Sequence, residues 1–309
     1  MVMDPIESIT PYKDSSFAML LEAARRNAEI HYFQQRDLKV LGGKAIGQSK
    51  ILTVRDDNDD WFEYGSSQSV DLGDLDVILM RKDPPFDMEY VYTTYILDRA
   101  AVAGALIVNR PQALRDMNEK AYTAWFPECT PLTLITRSMN DMRAFLAAHG
   151  QIVVKPLDGM GGKSIFVIQK GDKNASVIFE TLTDYGQRFA MAQLFIPEIS
   201  LGDKRILLVN GEAVPYALAR IPSADDNRGN LVMGATGVAQ ELSDADRAIC
   251  DRVGPVLRDQ GVIFAGIDVI GDYLTEVNVT SPTGIRELDT QFDLNIAGLL
   301  FDAIESELA

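Results

Sequence analysis

Residues 152–168, IVVKPLDGMGGKSIFVI, place Gly159, Gly161 and Gly162 around Met160, between two apolar runs. Glycine has no Cβ and an unrestricted φ, so bare N–H groups in such a loop can close on a phosphate. A long hairpin connection uses the same residues, and the glycines alone leave both readings open. Lys155 ends the first run, just before Pro156, where an ammonium could neutralise nucleotide phosphate or simply stand in solvent. Lys120, within Asn118-Glu-Lys-Ala-Tyr122, reads on spacing as a plain helix lysine. The tetrapeptide Gly161-Gly162-Lys163-Ser164 is not a Walker A loop. That motif requires a glycine where Leu157 stands and a helix after it, whereas the β-branched and aromatic residues from Ser164 to Ile168 predict a strand.

A second constellation lies in Phe264 to Pro282, where Glu276 and Asn278 are two apart in an apolar run. In a strand both project to one face, and an unpaired carboxylate or amide buried there is costly. With Asp268 they make an oxygen-only set of the kind that suits Mg²⁺, which keeps waters and substrate phosphates among its ligands. A solvent-facing strand is the alternative. If the runs 263–270 and 273–279 form a hairpin, a two-residue turn sets Asp268 opposite Thr275, and period-two alternation then turns Glu276 away. A shared metal therefore predicts Asp268 near Glu276 and Ile270 near Leu274, through a longer loop or a bulge at Gly271. The basic residues Lys204, Arg205, Arg220 and Arg228 supply local positive charge. The polar stretch between Ile221 and Thr236, which holds Arg228 and Asn230, is long for a connection and is expected to be a lid.

These groups need elements to hold them. Ser15 to Ala28 has apolar residues at helical spacing after a Lys13-Asp14-Ser15-Ser16 stretch that can cap it. The runs 76–80 and 105–109 read as buried parallel strands with a helix over 90–103 between them, a small α/β layer. After Arg115 the pattern changes to a helix from about Asn118 to Phe126, a strand ending at Lys155 and paired β-runs. The chain has 309 residues and a net charge of −16, so its overall field repels nucleic acid and anionic membrane surfaces. No apolar run is long enough to span a membrane, and the N-terminus lacks a secretory signal pattern, so a cytoplasmic location is expected. Cys129 and Cys250 are too few for a disulfide framework or a cysteine zinc site and read as buried thiols; His31 and His149 lie apart from each other and from these motifs.

Taken together, the glycine-rich loop between strands, the lysine before it, Asp268 and the Glu276-x-Asn278 pair resemble the ATP-grasp ligases. Met3-Asp-Pro5, residues 13–19 (KDSSFAM), 77–86 (VILMRKDPPF), 155–162 (KPLDGMGG) and 278–283 (NVTSPT) resemble bacterial glutathione synthetase, from Met3 to about Glu305. The family usually carries residues ahead of Met-Asp-Pro that complete a first strand, so that strand is expected to be shortened here.

The resemblance implies an α/β fold, α+β in its C-terminal part: an ATP-grasp fold behind a small Rossmann-like domain. The expected domains are 1–117, 118–195 (central and lid) and 196–309 (metal and substrate). It also implies ATP as co-substrate with Mg²⁺ or Mn²⁺, held by Asp268, Glu276 and Asn278. Lys120, Lys155 and the Gly159, Met160, Gly161 and Gly162 loop would hold the nucleotide, with Gln193, Leu194, Phe195 and Ile196 beside adenine. Arg205 and Arg220 would steady the transferring phosphoryl group, and Arg81, Arg228, Asn230, Ser281 and Thr283 would contact the substrates, γ-glutamylcysteine and glycine. For Arg81 an interdomain salt bridge is the alternative. Neither nucleic acid nor membrane is an implied partner, and a homotetramer is. A D-alanine:D-alanine ligase-like enzyme would share the nucleotide and metal residues, but the Arg81 to Phe86 segment argues against it. A non-catalytic nucleotide-binding module would be expected to have lost some of them.

Overall fold

Asp14 sets the start of the first helix: its carboxylate accepts the Phe17 N–H at 2.7 Å, and α1 (Ser15–Arg25) follows, burying Phe17, Met19 and Leu20. The computed structural model describes residues 1–159, 162–221 and 236–309. Next come β1 (His31–Tyr32), β2 (Leu38–Leu41), β3 (Lys44–Val54) and β4 (Phe62–Asp71), an antiparallel sheet ordered β1-β3-β2 with β4 also on β3. The alternation of helix and strand read from the sequence omits this sheet. Most of β4 is exposed and rich in Ser, Gln and Glu, so no apolar run announces it. The expected parallel unit does form: β5 (Val77–Leu79), α2 (Met88–Ala103) and β6 (Leu106–Val108), with β5 and β6 paired in parallel. Where a shortened first strand was expected, Val2 makes isolated parallel bridges to Phe33 and Met80. Helix α3 (Pro111–Asp116) follows. The helix expected over 118–126 is instead a 3-10 turn over Ala121–Trp125, because the Asn118 side chain takes the N–H groups of Lys120 and Ala121 and tightens the chain there.

The middle of the chain contributes β7 (Thr133–Thr136), α4 (Met139–His149), β8 (Gln151–Pro156), β9 (Phe166–Gln169), α5 (Ala175–Thr183) and β10 (Ala190–Leu194). The antiparallel sheet β7-β10-β8-β9 packs Ile152, Val154, Ala190 and Ala192 with Met142, Leu146 and Phe179 of the two helices. Alternation therefore sends Val153 and Lys155 to the helix-free face.

The last part comprises β11 (Asp203–Val209), β12 (Glu212–Ile221), β13 (Thr236–Glu241), α6 (Asp244–Asp259), β14 (Phe264–Ile270), β15 (Tyr273–Asn278), α7 (Ile285–Phe292) and α8 (Ile296–Leu308), with sheet order β13-β12-β11-β14-β15. Ile206, Leu208 and Ile267 share a core with Ile249 and Val253 of α6, while Leu207, Val209 and Phe264 share one with Leu288 and Leu300. Arg205, two residues before Leu207, belongs to this second face. Helix α6 crosses the β11–β12 turn so closely that a Cβ on Gly254 would lie 2.0 Å from the Gly211 carbonyl oxygen.

Buried Asn109, just past β6, ties the first layer to the last sheet. Its Nδ2 donates to the carbonyls of Phe264 and Val279, both at 2.7 Å, and its Oδ1 accepts from Ile263 and Phe264 N–H, both at 2.9 Å. Cys129 and Cys250 are buried free thiols. Among the described residues no helix is long and apolar enough to cross a membrane.

Candidate active site

Strands β14 and β15 pair with Asp268 opposite Glu276 and Gly266 opposite Asn278. Directly opposed residues and those two apart face the same way, so Asp268, Glu276 and Asn278 share one face. The expected Asp268–Glu276 register is present. The turn is not the one expected: Ile270 pairs with Tyr273, Val269 with Leu274, and the slip sits as a bulge between Asp268 and Val269. Gly271, at φ 57°, makes a two-residue turn with Asp272, and Thr275 becomes the extra residue, its hydroxyl donating to the Asp268 carbonyl at 3.0 Å.

Arg205 on β11 pairs across to Asp268, and Arg220 on β12 pairs across to Asp203. Arg205 grips Asp268 with both Nε and Nη2, the latter at 2.8 Å; Arg220 Nη2 also reaches Asp268 at 2.9 Å, and its Nε donates to Asp203 at 2.9 Å. Burial alone would raise the Asp268 pKa, but the two guanidinium groups outweigh it and hold the carboxyl well below its usual range. The sequence reading missed Asp203, whose only signal is strand pairing with Arg220, itself invisible until the register is known.

Lys120 Nζ lies between the carboxylates of Glu119 and Glu276, 3.4 Å from the latter, and donates to the Gly159 carbonyl. Burial lowers its pKa, yet Glu276 and Glu119 turn the net shift upward. Glu119, also missed, has its pKa raised by burial and by Glu276. Its signal is an acid directly before Lys120. The Val277 N–H donates to the Glu119 carbonyl at 2.8 Å, fixing this turn to β15. Lys155, opposite Met191, is 5% exposed, and its pKa is lowered by burial to about 8. Gln193 lies on the same face as Lys155, Nε2 donating to the Thr133 hydroxyl at 2.8 Å. Leu194 ends β10, and Phe195 and Ile196 lead into a 3-10 turn at Pro197.

Gly159 lines a pocket of about 60 Å³ with Pro84, Phe86, Glu119, Asp158 and Thr280. Gly162 adopts φ 72°. Met160, Gly161, Arg228 and Asn230, with most of the expected lid, lie outside the described residues. Among the described residues Arg81, which is buried, has no carboxylate partner, so no interdomain salt bridge is seen there: Nε donates to the Ser16 hydroxyl at 3.0 Å, Nη2 to the Pro282 carbonyl at 2.9 Å, and Nη1 to none of them. Ser281 is buried; Thr283 is exposed, its carbonyl 3.5 Å from Arg205 Nη1.

The donor set fits a hard cation in part. Asn278 Nδ2 is buried without a partner, and an amide there can turn its oxygen inward. Among the described residues Glu276 pairs with Lys120 alone, whereas Asp268 is already taken by two arginines. Among the described residues no group of three or more His, Cys, Asp or Glu could hold a metal. A cation here would need phosphates and water to complete its shell, the habit of Mg²⁺.

Such a face serves several carboxylate ligases, and the sequence comparisons separate them. Residues 119–293 match the model of the prokaryotic glutathione synthetase ATP-grasp domain, and residues 1–115 match that of the prokaryotic glutathione synthetase N-terminal domain. The chain belongs to the prokaryotic glutathione synthetase family. It is 58% identical over 304 residues to the glutathione synthetase of Vibrio parahaemolyticus serotype O3:K6, covering 98% of this chain and 96% of that one. It is 56% identical over 308 residues to that of Salmonella typhimurium, with 100% and 98% covered. Among solved structures it resembles the D-cycloserine synthetase DcsG, with TM-score 0.68, 15% identity and 100% and 99% coverage. The ATP-grasp ligase PsnB follows, with TM-score 0.65, 16% identity and 100% and 98% coverage. These two speak for the ATP-grasp fold alone.

In this glutathione synthetase fold the depressed Lys155 pKa carries a prediction. If Lys155 contacts nucleotide phosphate it does so as the charged ammonium, which loses its proton as pH rises through about 8. ATP affinity is therefore expected to fall above that pH, approaching tenfold per unit, and Lys155→Met to bind weakly and without that slope. Calorimetric titration between pH 7 and pH 9.5 checks this; a flat wild-type profile contradicts it.

Proposed function

We propose that the protein is an ATP-dependent ligase that joins glycine to γ-glutamylcysteine. The γ-phosphoryl group of ATP passes to the cysteinyl carboxylate, and the glycine amine attacks the resulting acyl phosphate to release phosphate. Such chemistry asks for charge neutralisation and positioning more than for a dedicated acid or base. Lys120, Lys155 and the 159–162 backbone hold the nucleotide phosphates, with residues 193–196 beside adenine. Arg205 and Arg220 steady the transferring group. Glu276 and Asn278, with Asp268, would hold Mg²⁺, which when bound would supply charge neutralisation at the phosphates. Arg81, whose Nη1 is free in a buried site, takes a substrate carboxylate, with Ser281, Thr283, Arg228 and Asn230 completing the substrate contacts. The tetramer stands with these as part of the proposal.

The observation that carries this reading is the meeting of Lys120, Lys155, Glu276, Asp268 and two arginines from two sheets and the turn beside them, in a chain of this family. ADP release is expected with γ-glutamylcysteine plus glycine, to drop sharply without glycine, and to be absent with D-alanine. Release that is indifferent to glycine, or faster with D-alanine, would overturn the proposal.

A further inference from the structure

Among the described residues four buried side-chain atoms have no hydrogen-bond partner: Arg81 Nη1, the Tyr90 hydroxyl, Asn278 Nδ2 and Glu287 Oε2. Arg81 and Asn278 already have proposed roles; Glu287 has none. It is the third residue of α7, whose N-cap is Gly284. A glutamate there ordinarily reaches back to the N-cap N–H and closes a capping box. Here the hydroxyl of Ser15, from α1, accepts the N–H of Gly284 at 3.1 Å and of Ile285 at 3.2 Å. The usual role of Glu287 is filled by another residue, and Oε2 is left over.

Its surroundings indicate what is missing. Burial raises the Glu287 pKa, Asp14 raises it further, and Lys13 and Arg205 pull it down, yet neither base forms an ion pair with it. A buried acceptor beside a second acid calls for a cationic donor. Arg205, meanwhile, reaches toward the Thr283 carbonyl just before this helix and grips Asp268, so Glu287 adjoins the proposed reaction face.

We propose that Glu287 Oε2 receives the primary ammonium group of an amino-acid substrate. The assignment rests on the ligase reading above. Two groups have this chemistry, the amine of glycine and the α-amine of the γ-glutamyl residue, and steady-state kinetics tell them apart.

In Glu287→Gln, with each substrate varied in turn, KM for one substrate is expected to rise about 10- to 100-fold while kcat changes by less than about threefold. A rise confined to glycine assigns the nucleophile's amine; a rise confined to the dipeptide assigns the γ-glutamyl amine. In the second case glutarylcysteine, which lacks that amine, is expected to have the same KM with both proteins. Should the Gln variant not fold, Glu287→Asp, which keeps the charge but shortens the reach, is expected to give a smaller rise in the same single KM. Both KM values staying within about threefold of wild type, or rising together with a fall in kcat, overturns the proposal. Wild-type protein that gives no ADP with both substrates defeats the ligase reading instead, a separate outcome visible before any variant is made.

Discussion

Glu276→Gln combined with Asn278→Ala is expected to leave a folded chain whose Mg²⁺-dependent turnover is lower by about a thousandfold or more, because the cation's charge stabilisation is worth several kcal/mol. Both side chains project from β15 toward the arginine–aspartate cluster, and neither is needed for strand pairing, which uses backbone groups. Lys120 loses the Glu276 charge but keeps Glu119 and the Gly159 carbonyl, so its own position stays fixed. Circular dichroism and the melting temperature should therefore stay close to wild type while the rate of ADP release collapses. Near-normal turnover would remove the metal assignment.

Asn109→Leu is expected to cause a large loss of stability. The amide saturates both of its ends, serving two carbonyls and two N–H groups of the last sheet, all buried. Leucine fills the space but strands four backbone groups, at about 1–3 kcal/mol for each that finds no new partner. Thermal unfolding should shift down by roughly 5 °C or more. Asn109→Asp should also destabilise, since a carboxylate keeps the acceptor and loses both donors. An unchanged midpoint in the Leu variant would show that the first layer and the last sheet do not depend on this clamp.

The parts legible in the sequence were those written in local pattern. Short continuous apolar runs gave the parallel β5–α2–β6 unit and both strands around the glycine loop, and the polar stretch over residues 13–16 gave the start of α1. Faces were readable wherever residues two apart could be counted along one strand, as for Glu276 and Asn278. What required a partner strand was not readable. Asp203 matters because it lies opposite Arg220, and the bulge moved from the Gly271 turn to Thr275 because the fit of neighbouring strands sets its place. Strand β4 was missed for a physical reason, since an exposed polar strand buries too little to leave an apolar signature. Arg81 shows the limit of charge-based reading: where a salt bridge was the alternative to a substrate contact, its partners are a hydroxyl and a carbonyl, neutral acceptors that no pattern of charged residues reveals.

The acyl phosphate is the central chemical claim, and isotope transfer tests it most directly. With γ-glutamylcysteine labelled by ¹⁸O in both oxygens of its cysteinyl carboxylate, one carboxylate oxygen must leave with the phosphoryl group when glycine displaces it. The expected result is one ¹⁸O in each phosphate released, one retained in the new amide carbonyl, and none in ADP. Phosphate free of label, or label recovered in AMP, would contradict the mechanism proposed for this site.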